Sequence, residues 1–399
     1  MSQQPRPHGG DRVAQALLAH GIDHLFTLCG GHVSPILAAA KARGIRVVDT
    51  RHEANAVFAA DAWARIHGKP GVAVVTAGPG VSNSVTALKN AQLAQSPLVL
   101  IGGAAPTLLQ GRGALQDIAQ APLVKPHVKA CFRVRRVAEL GHTVSRALTM
   151  AASGVPGPVF VECPVDLLYD ETTIRGWYAE AAGRGTSVAA RVRRAYLQYH
   201  ANRLFGGSPA ADQMAPAAMP VAVATSSQIA RAAQLLQRSQ RPLLLIGSQA
   251  LSGPAALTER LVAAVSALGL PVYLSGMARG LLGRQHPLQR FHRRREALKD
   301  ADCVLLAGVP CDFRLDYGQP IRRDARLIAL NLSGREARMN RKPELALIGS
   351  PAAALAAIAD VLATGAQTSP RSTWLQKLAE RDAEREGVIA QQASAATSH

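Results

Sequence analysis

The chain has 399 residues, 48% hydrophobic and 18% charged, enough apolar mass for two or three domains and too much for global disorder. Aromatic residues make up only 4%, so the cores must be built from Ala, Val, Leu and Ile, which suits helices packed on parallel strands. The formal charge is +18, but a basic balance supports only non-specific attraction until an element that reads bases is found.

Residues 11–20 read as a short amphipathic helix, and His24 to Cys29 is an apolar run stopped by Gly30-Gly31. The cycle repeats. A strand at 45–49 precedes a helix at 53–67, and a strand at 71–76 precedes Gly78-Pro79-Gly80 and a helix near 81–94. Further strands are predicted at 97–102 and 157–162, the second after a helix at 137–153. Strands alternating with helices imply right-handed crossovers and a parallel sheet covered on both faces.

From about 170 the rhythm stops, and the Arg-containing stretch that runs into Gly, Pro and Ala reads as a linker over 173–222. It resumes with strands at 242–246, 270–273, 303–307, 326–330 and 345–348 and an Ala-rich helix at 351–363. The fold class is therefore α/β, with two doubly wound parallel-sheet domains at 8–172 and 223–365. The tail, 366–399, carries one polar helical pattern and is too polar to found a third core.

The five cysteines are an odd number with no C-x-x-C, so neither a disulfide framework nor a zinc site is indicated. No apolar leader opens the sequence and no stretch offers about 20 uninterrupted apolar residues, so cytoplasm is expected and no membrane partner. Between Arg279 and Lys342 stand 15 basic and 7 acidic residues without interleaved stacking aromatics, so nucleic acid is not expected as a partner. Small phosphate-bearing ligands explain the same charge more economically.

Three features converge on one predicted sheet edge. Glu53 opens the helix after the second strand, near the carboxyl ends where ligands of open α/β folds collect. Taken alone, it is also an ordinary acidic first-turn residue favoured by the helix dipole. Gly30-Gly31 ends the first strand, and Thr76-Ala-Gly-Pro79-Gly-Val-Ser-Asn83 ends the third, so backbone groups could approach a flat ligand. Glycines that merely permit tight turns remain the alternative. His32 and His52 each flank a turn, where a structurally hydrogen-bonded histidine is commoner than a catalytic one.

Leu28-Cys-Gly-Gly-His32, Asp49-Thr-Arg-His-Glu-Ala54, Val75-Thr-Ala-Gly-Pro-Gly80 and Gly157-Pro-Val-Phe-Val-Glu162 resemble, in order, the motifs of thiamine-diphosphate-dependent enzymes of the acetolactate synthase type. Gly276-Met-Ala-Arg-Gly-Leu-Leu-Gly283 and Val309-Pro-Cys-Asp-Phe-Arg314 are most similar to the branch grouped with 2-hydroxyacyl-CoA lyases. The resemblance covers about residues 1–365.

It implies a pyrimidine-binding first domain and a central second domain. Glu53 matches the glutamate that hydrogen-bonds the cofactor's aminopyrimidine, favouring the imino tautomer that removes the thiazolium C2 proton. Gly30, Gly31, Thr76, Pro79 and Asn83 match loops that bound the pyrimidine. Gln116 and Lys125 resemble residues on the substrate side, although the family's aromatic before the glutamine is Leu115 here. Arg279 and Arg314 resemble the part of the family that holds FAD or ADP-like groups, where they could grip phosphates.

The family fixes the diphosphate through magnesium with a Gly-Asp-Gly motif and paired asparagines, and these 399 residues contain neither. No metal ligands are therefore expected in this chain, and Mg2+ only from a missing domain or a partner. The readings left open are a split subunit completed by a separate chain, a truncated product, and a non-catalytic scaffold paired with a full-length homologue. Homodimers or tetramers are expected. The substrate would be a 2-keto acid ligated in acetolactate fashion or, as the near alternative, a 2-hydroxyacyl-CoA that is cleaved.

Overall fold

A computed structural model describes residues 8–207, 224–364 and 371–396. They divide into two compact units at Met219/Pro220.

The first unit is built on six strands: β1 His24–Leu28, β2 Arg46–Asp49, β3 Gly71–Val75, β4 Leu98–Ala104, β5 Ala130–Arg133 and β6 Pro158–Pro164. Their order is β2-β1-β3-β4-β6-β5, every pairing parallel. β3, β4 and β6 are buried at every position, which is why they read as unbroken apolar runs, while the edges β2 and β5 are only partly covered. Val13, Leu17, Ile36 and Leu148 pack in the core on one face, and Val57, Ala60, Leu88 and Ala91 in the core on the other. The chain leaves β1 for β2 on one side and returns to β3 on the other, so the order reverses between β1 and β3, where open sheets form a crevice at their carboxyl ends.

Glu53–His67 is a helix, as the pattern predicts. The helix expected near 81–94 is instead two, Pro79–Ser82 and Val85–Ala94. Between them the Ser84 hydroxyl donates to the Gly80 carbonyl at 2.8 Å, the kind of side-chain bond that competes with a helical ladder.

The stretch expected as a linker differs most. Glu171–Ala182 and Val188–Phe205 are helices, and Tyr178, Leu204 and Phe205 pack on the first core. The fully buried Asp166 carboxylate accepts hydrogen bonds from the Thr107 amide and hydroxyl and from the Tyr178 hydroxyl, at 2.9, 2.5 and 2.7 Å. His200 reaches the same Thr107 hydroxyl at 2.8 Å, so both helices are tied to the sheet's end. The rest of the expected linker, from 208, lies outside the described residues.

The second unit carries β7 Pro242–Ile246, β8 Val272–Leu274, β9 Gln289–Arg290, β10 Cys303–Ala307, β11 Arg326–Asn331 and β12 Leu345–Ile348, in the all-parallel order β12-β11-β10-β7-β8-β9. Five of these strands were expected; the two-residue β9 is too short to leave a pattern. Ser372–Ala396 is a helix belonging to this unit and not a free tail. Its Trp374 and Leu378 complete a buried cluster with Leu243, Leu245 and Leu306, and the Trp374 indole donates to the Pro242 carbonyl at 2.9 Å. Among the described residues no helix is long and apolar enough to cross a membrane.

Candidate functional site

The crevice of the first unit is assembled by three strand ends. Thr50, after β2, donates its hydroxyl to the Thr27 carbonyl of β1 and to the His52 carbonyl, both at 3.0 Å, which turns the chain into the next helix. His52 is that helix's N-cap and accepts the Ala54 amide at 3.1 Å, a structural role that accounts for the histidine. Glu53 follows as the first helical residue, and its side chain turns inward, leaving the residue 7% exposed.

Asn83, at the end of the turn after β3, donates from Nδ2 to Glu53 Oε2 at 3.0 Å. No ion pair to Glu53 exists among the described residues, and Oε1 has no partner there. A buried carboxylate with one oxygen held by a neutral donor and the other free is not half of a structural salt bridge, and it keeps an oxygen able to accept a hydrogen bond.

The turns after β1 and β3 touch. A Cβ on Gly30 would lie 2.5 Å from Thr76 Cβ, so the glycine is required by packing between the turns. Gly31, by contrast, faces open space. His32 Nδ1 lies 3.2 Å from the Thr76 hydroxyl, and burial lowers this imidazole's pKa, favouring the neutral ring. Gly78 has φ +63° and ψ −107°, a conformation glycine alone adopts readily, and Pro79 beside it is exposed.

Gln116 joins this group. Its backbone carbonyl would be 2.6 Å from a Cβ on Gly78, its own φ is +61°, and its Oε1 accepts from the Thr76 hydroxyl at 3.4 Å. Lys125 does not join it. It is exposed in the turn Lys125–His127, no described hydrogen bond or ion pair links it to Glu53, Thr76 or Gln116, and its charge is felt by Cys131.

Two residues that the sequence reading passed over stand behind the site. Gln120 is 2% exposed; its Oε1 accepts the Gly78 amide at 2.9 Å and its Nε2 donates to the Gly103 carbonyl at 3.0 Å and to Glu162 Oε2 at 3.1 Å. Glu162, also buried, pairs through Oε1 with Arg133 Nε at 3.0 Å. A carboxylate closing an otherwise apolar strand was a visible signal for Glu162; nothing local marked Gln120.

The cysteines are all unpaired. Burial pushes the Cys163 thiol up to about 12 and those of Cys303 and Cys311 to about 11, so these three stay protonated and inert near neutrality.

In the second unit Arg279 and Arg314 line one cavity of about 860 Å³, with Arg290, Arg294 and Arg295 and the exposed rings of Phe291 and Phe313. Arg314 is engaged: its Nε donates to both Asp312 carboxylate oxygens at 3.1 Å. The Arg279 guanidinium has no hydrogen bond or ion pair among the described residues and is the less committed cation.

Comparison with known proteins bears on these features directly. Residues 7–123 match the model for the N-terminal TPP binding domain of thiamine pyrophosphate enzymes, and residues 229–358 match their central domain. The chain belongs to the thiamine pyrophosphate enzyme family. It is 46% identical over 397 residues to a Caenorhabditis elegans protein named 2-hydroxyacyl-CoA lyase 2, covering 98% of this chain and 61% of the relative. A human protein of the same name is 45% identical over 391 residues, covering 97% and 61%. The acetolactate synthase large subunit IlvG of Mycobacterium tuberculosis is 35% identical over 373 residues, covering 93% and 60%. The chain thus spans about three fifths of the length of these relatives. Glu53, Asn83 and the turns that meet them all fall inside the matched N-terminal domain, and the arginine-lined cavity inside the central one.

Proposed function

We propose that the first unit receives the aminopyrimidine end of thiamine diphosphate, and that the chain forms part of an enzyme acting on 2-hydroxyacyl-CoA thioesters. The observation that carries the cofactor reading is the Glu53–Asn83 pair: a buried carboxylate at the crevice with Oε2 held by Asn83 and no cation beside it. That donor set fits the ring, because a free carboxyl oxygen can share a proton with a ring nitrogen. Bound there, thiamine diphosphate supplies a carbanion nucleophile that makes or breaks bonds beside a carbonyl.

The chain's own residues set up that chemistry. Asn83 fixes the rotation of the Glu53 carboxyl group, so that Oε1 is the oxygen presented to the ring nitrogen and carries the shared proton. The turns at Gly30-Gly31 and Thr76–Asn83 bound the ring, with Gly31 offering backbone without a side chain. Gln116, held against Thr76, is placed to meet the substrate.

The lyase reading is preferred to acetolactate-type ligation because the relatives of that name are 45–46% identical, against 35% for the acetolactate synthase. For the cavity of the second unit we propose a nucleotide diphosphate, ADP or FAD, held through Arg279 with Phe291 or Phe313 against the flat ring. The sequence holds no Gly-Asp-Gly and no paired asparagines. The magnesium-bound diphosphate anchor is therefore proposed to come from a domain outside these residues, joined or separate, within a dimer or tetramer.

Titration calorimetry with thiamine diphosphate and Mg2+ tests the proposal, on this chain alone and with a diphosphate-binding domain added. Weak binding alone, strengthened by the added domain and weakened about tenfold in both by Glu53→Gln, is the expected result. Binding indifferent to Glu53 would overturn it.

A further inference from the structure

Two of the glutamines between β4 and β5, Gln116 and Gln120, are used in opposite ways. Gln116 is half-buried and accepts one bond, from Thr76, whereas Gln120 is buried with its whole amide committed. Its oxygen must face the Gly78 N–H and its nitrogen must face two oxygens, so one amide orientation alone satisfies the site. The Gly78 amide it holds belongs to the residue with φ +63° and ψ −107°, the one positive φ in the turn, and from that bend the chain runs through Pro79–Ser82 to Asn83. Asn83 then meets Glu53.

We infer that Gln120 is a positioning residue: by fixing the Gly78 bend against β4 and β6, it sets where Asn83 meets the Glu53 carboxylate. The neighbouring carboxylate makes this inference testable. Glu162 lies 3.1 Å from Gln120 Nε2 and has Arg133 as its ion-pair partner. A glutamate at position 120 would keep an oxygen for the Gly78 amide. Ionised, however, it would face the Glu162 carboxylate and the Gly103 carbonyl with no proton to offer. Protonated, it would donate to Glu162 and restore most of the original arrangement.

The significance for catalysis rests on the cofactor reading above, but the test does not, because it needs no ligand. In the full chain, the Gly78 backbone amide and the Asn83 side-chain amide are followed by NMR and hydrogen exchange in wild type, Gln120→Met and Gln120→Glu. Gln120→Met should speed Gly78 exchange about tenfold, the effect of one lost buried hydrogen bond, and shift the Asn83 Nδ2 resonances. At pH 8 repulsion from Glu162 should push the ionised side chain of Gln120→Glu off the Gly78 amide, so that exchange approaches that of Gln120→Met and, as a ratio to wild type at each pH, returns toward one by pH 5. A residue that merely filled space would show no such acid rescue. Unchanged Gly78 exchange in Gln120→Met, undisturbed Asn83 resonances, or a ratio for Gln120→Glu that ignores pH would each overturn the inference. Should Gln120→Met fail to fold, the pH series on Gln120→Glu decides alone. Cofactor calorimetry on the wild type then judges the cofactor reading separately.

Discussion

The two units use one architecture for opposite electrostatic ends. Each is a six-stranded parallel sheet with a central reversal of strand order, between β1 and β3 in the first and between β7 and β10 in the second. At both reversals the strand ends approach so closely that glycine is needed. A Cβ on Gly30 would meet Thr76 at 2.5 Å, and one on Gly247 would meet the Gly308 carbonyl at 2.5 Å. In the first unit the crevice so formed holds a carboxylate with a free oxygen. In the second, Gln249 spends its amide internally, accepting the Leu332 amide and donating to Glu336, at 2.9 and 2.8 Å. The second unit's cavity opens instead beyond β8 and β9 and is lined by arginines. The crevice at a reversal is thus an opportunity the fold provides, and the side chains at the strand ends decide whether it is used.

The sharpest way to break this comparison is Glu53→Gln. It preserves shape but removes the group proposed to carry the proton, so turnover of the completed enzyme should fall about 10²- to 10⁴-fold, the range for loss of a positioned acid–base group. Thermal unfolding should hardly move, since no ion pair is lost. A variant retaining most of its activity would make the two crevices equivalent after all.

Next in size is Trp374→Ala, which tests whether the second unit depends on the helix after its sheet. The indole is 4% exposed and bonded to the Pro242 carbonyl. Truncation should cost about 3–5 kcal/mol. Hydrogen exchange should report it as lost protection in β10 and β11, with β3 and β4 unaffected. Equal loss in both units would show that they do not unfold independently.

The contrast also shows what could be read from sequence. Interior parallel strands are continuous apolar runs, so β3, β4, β7 and β10 were legible, and Glu53 was legible because it opens a helix immediately after a strand. The helix Val188–Phe205 was not: Ala201 and Leu204 face the core while Val188, Val192, Tyr196 and Tyr199 are exposed, so it lacks the one-sided periodicity that marks a surface helix. Among the described side chains of the long polar helix, only Trp374 and Leu378 are buried. Gln120 acts on Gly78 across 42 positions of sequence, a bond with no local signature.

A smaller effect separates glycines required by packing from one left for a ligand. Gly78→Ala would strain a φ of +63° and place a Cβ 2.6 Å from the Gln116 carbonyl, costing about 1–3 kcal/mol in urea unfolding of the first unit. Gly31→Ala meets nothing within 4 Å, so stability should change by less than about 0.5 kcal/mol, while thiamine diphosphate binding weakens if that backbone bounds the ring. Stability and binding falling together in Gly31→Ala would assign it the same packing role as Gly30.

The smallest effects concern the arginine cavity, where two residues alike in sequence should differ in use. Arg279→Ala removes a cation with no described partner, so nucleotide diphosphate affinity should fall about tenfold, as for loss of one charged hydrogen bond. Arg314→Gln also weakens binding, but for another reason: it uncovers the Asp312 carboxylate that Arg314 neutralises. Asp312→Asn combined with Arg314→Gln leaves the net charge unchanged and keeps the Asp312 side-chain oxygen that caps the Arg314 amide. If Arg314 serves only to neutralise Asp312, the double variant should bind ADP or FAD within about twofold of wild type, a strongly non-additive cycle. If it binds as poorly as Arg314→Gln alone, the guanidinium itself grips phosphate, and the second unit's site is a two-arginine clamp.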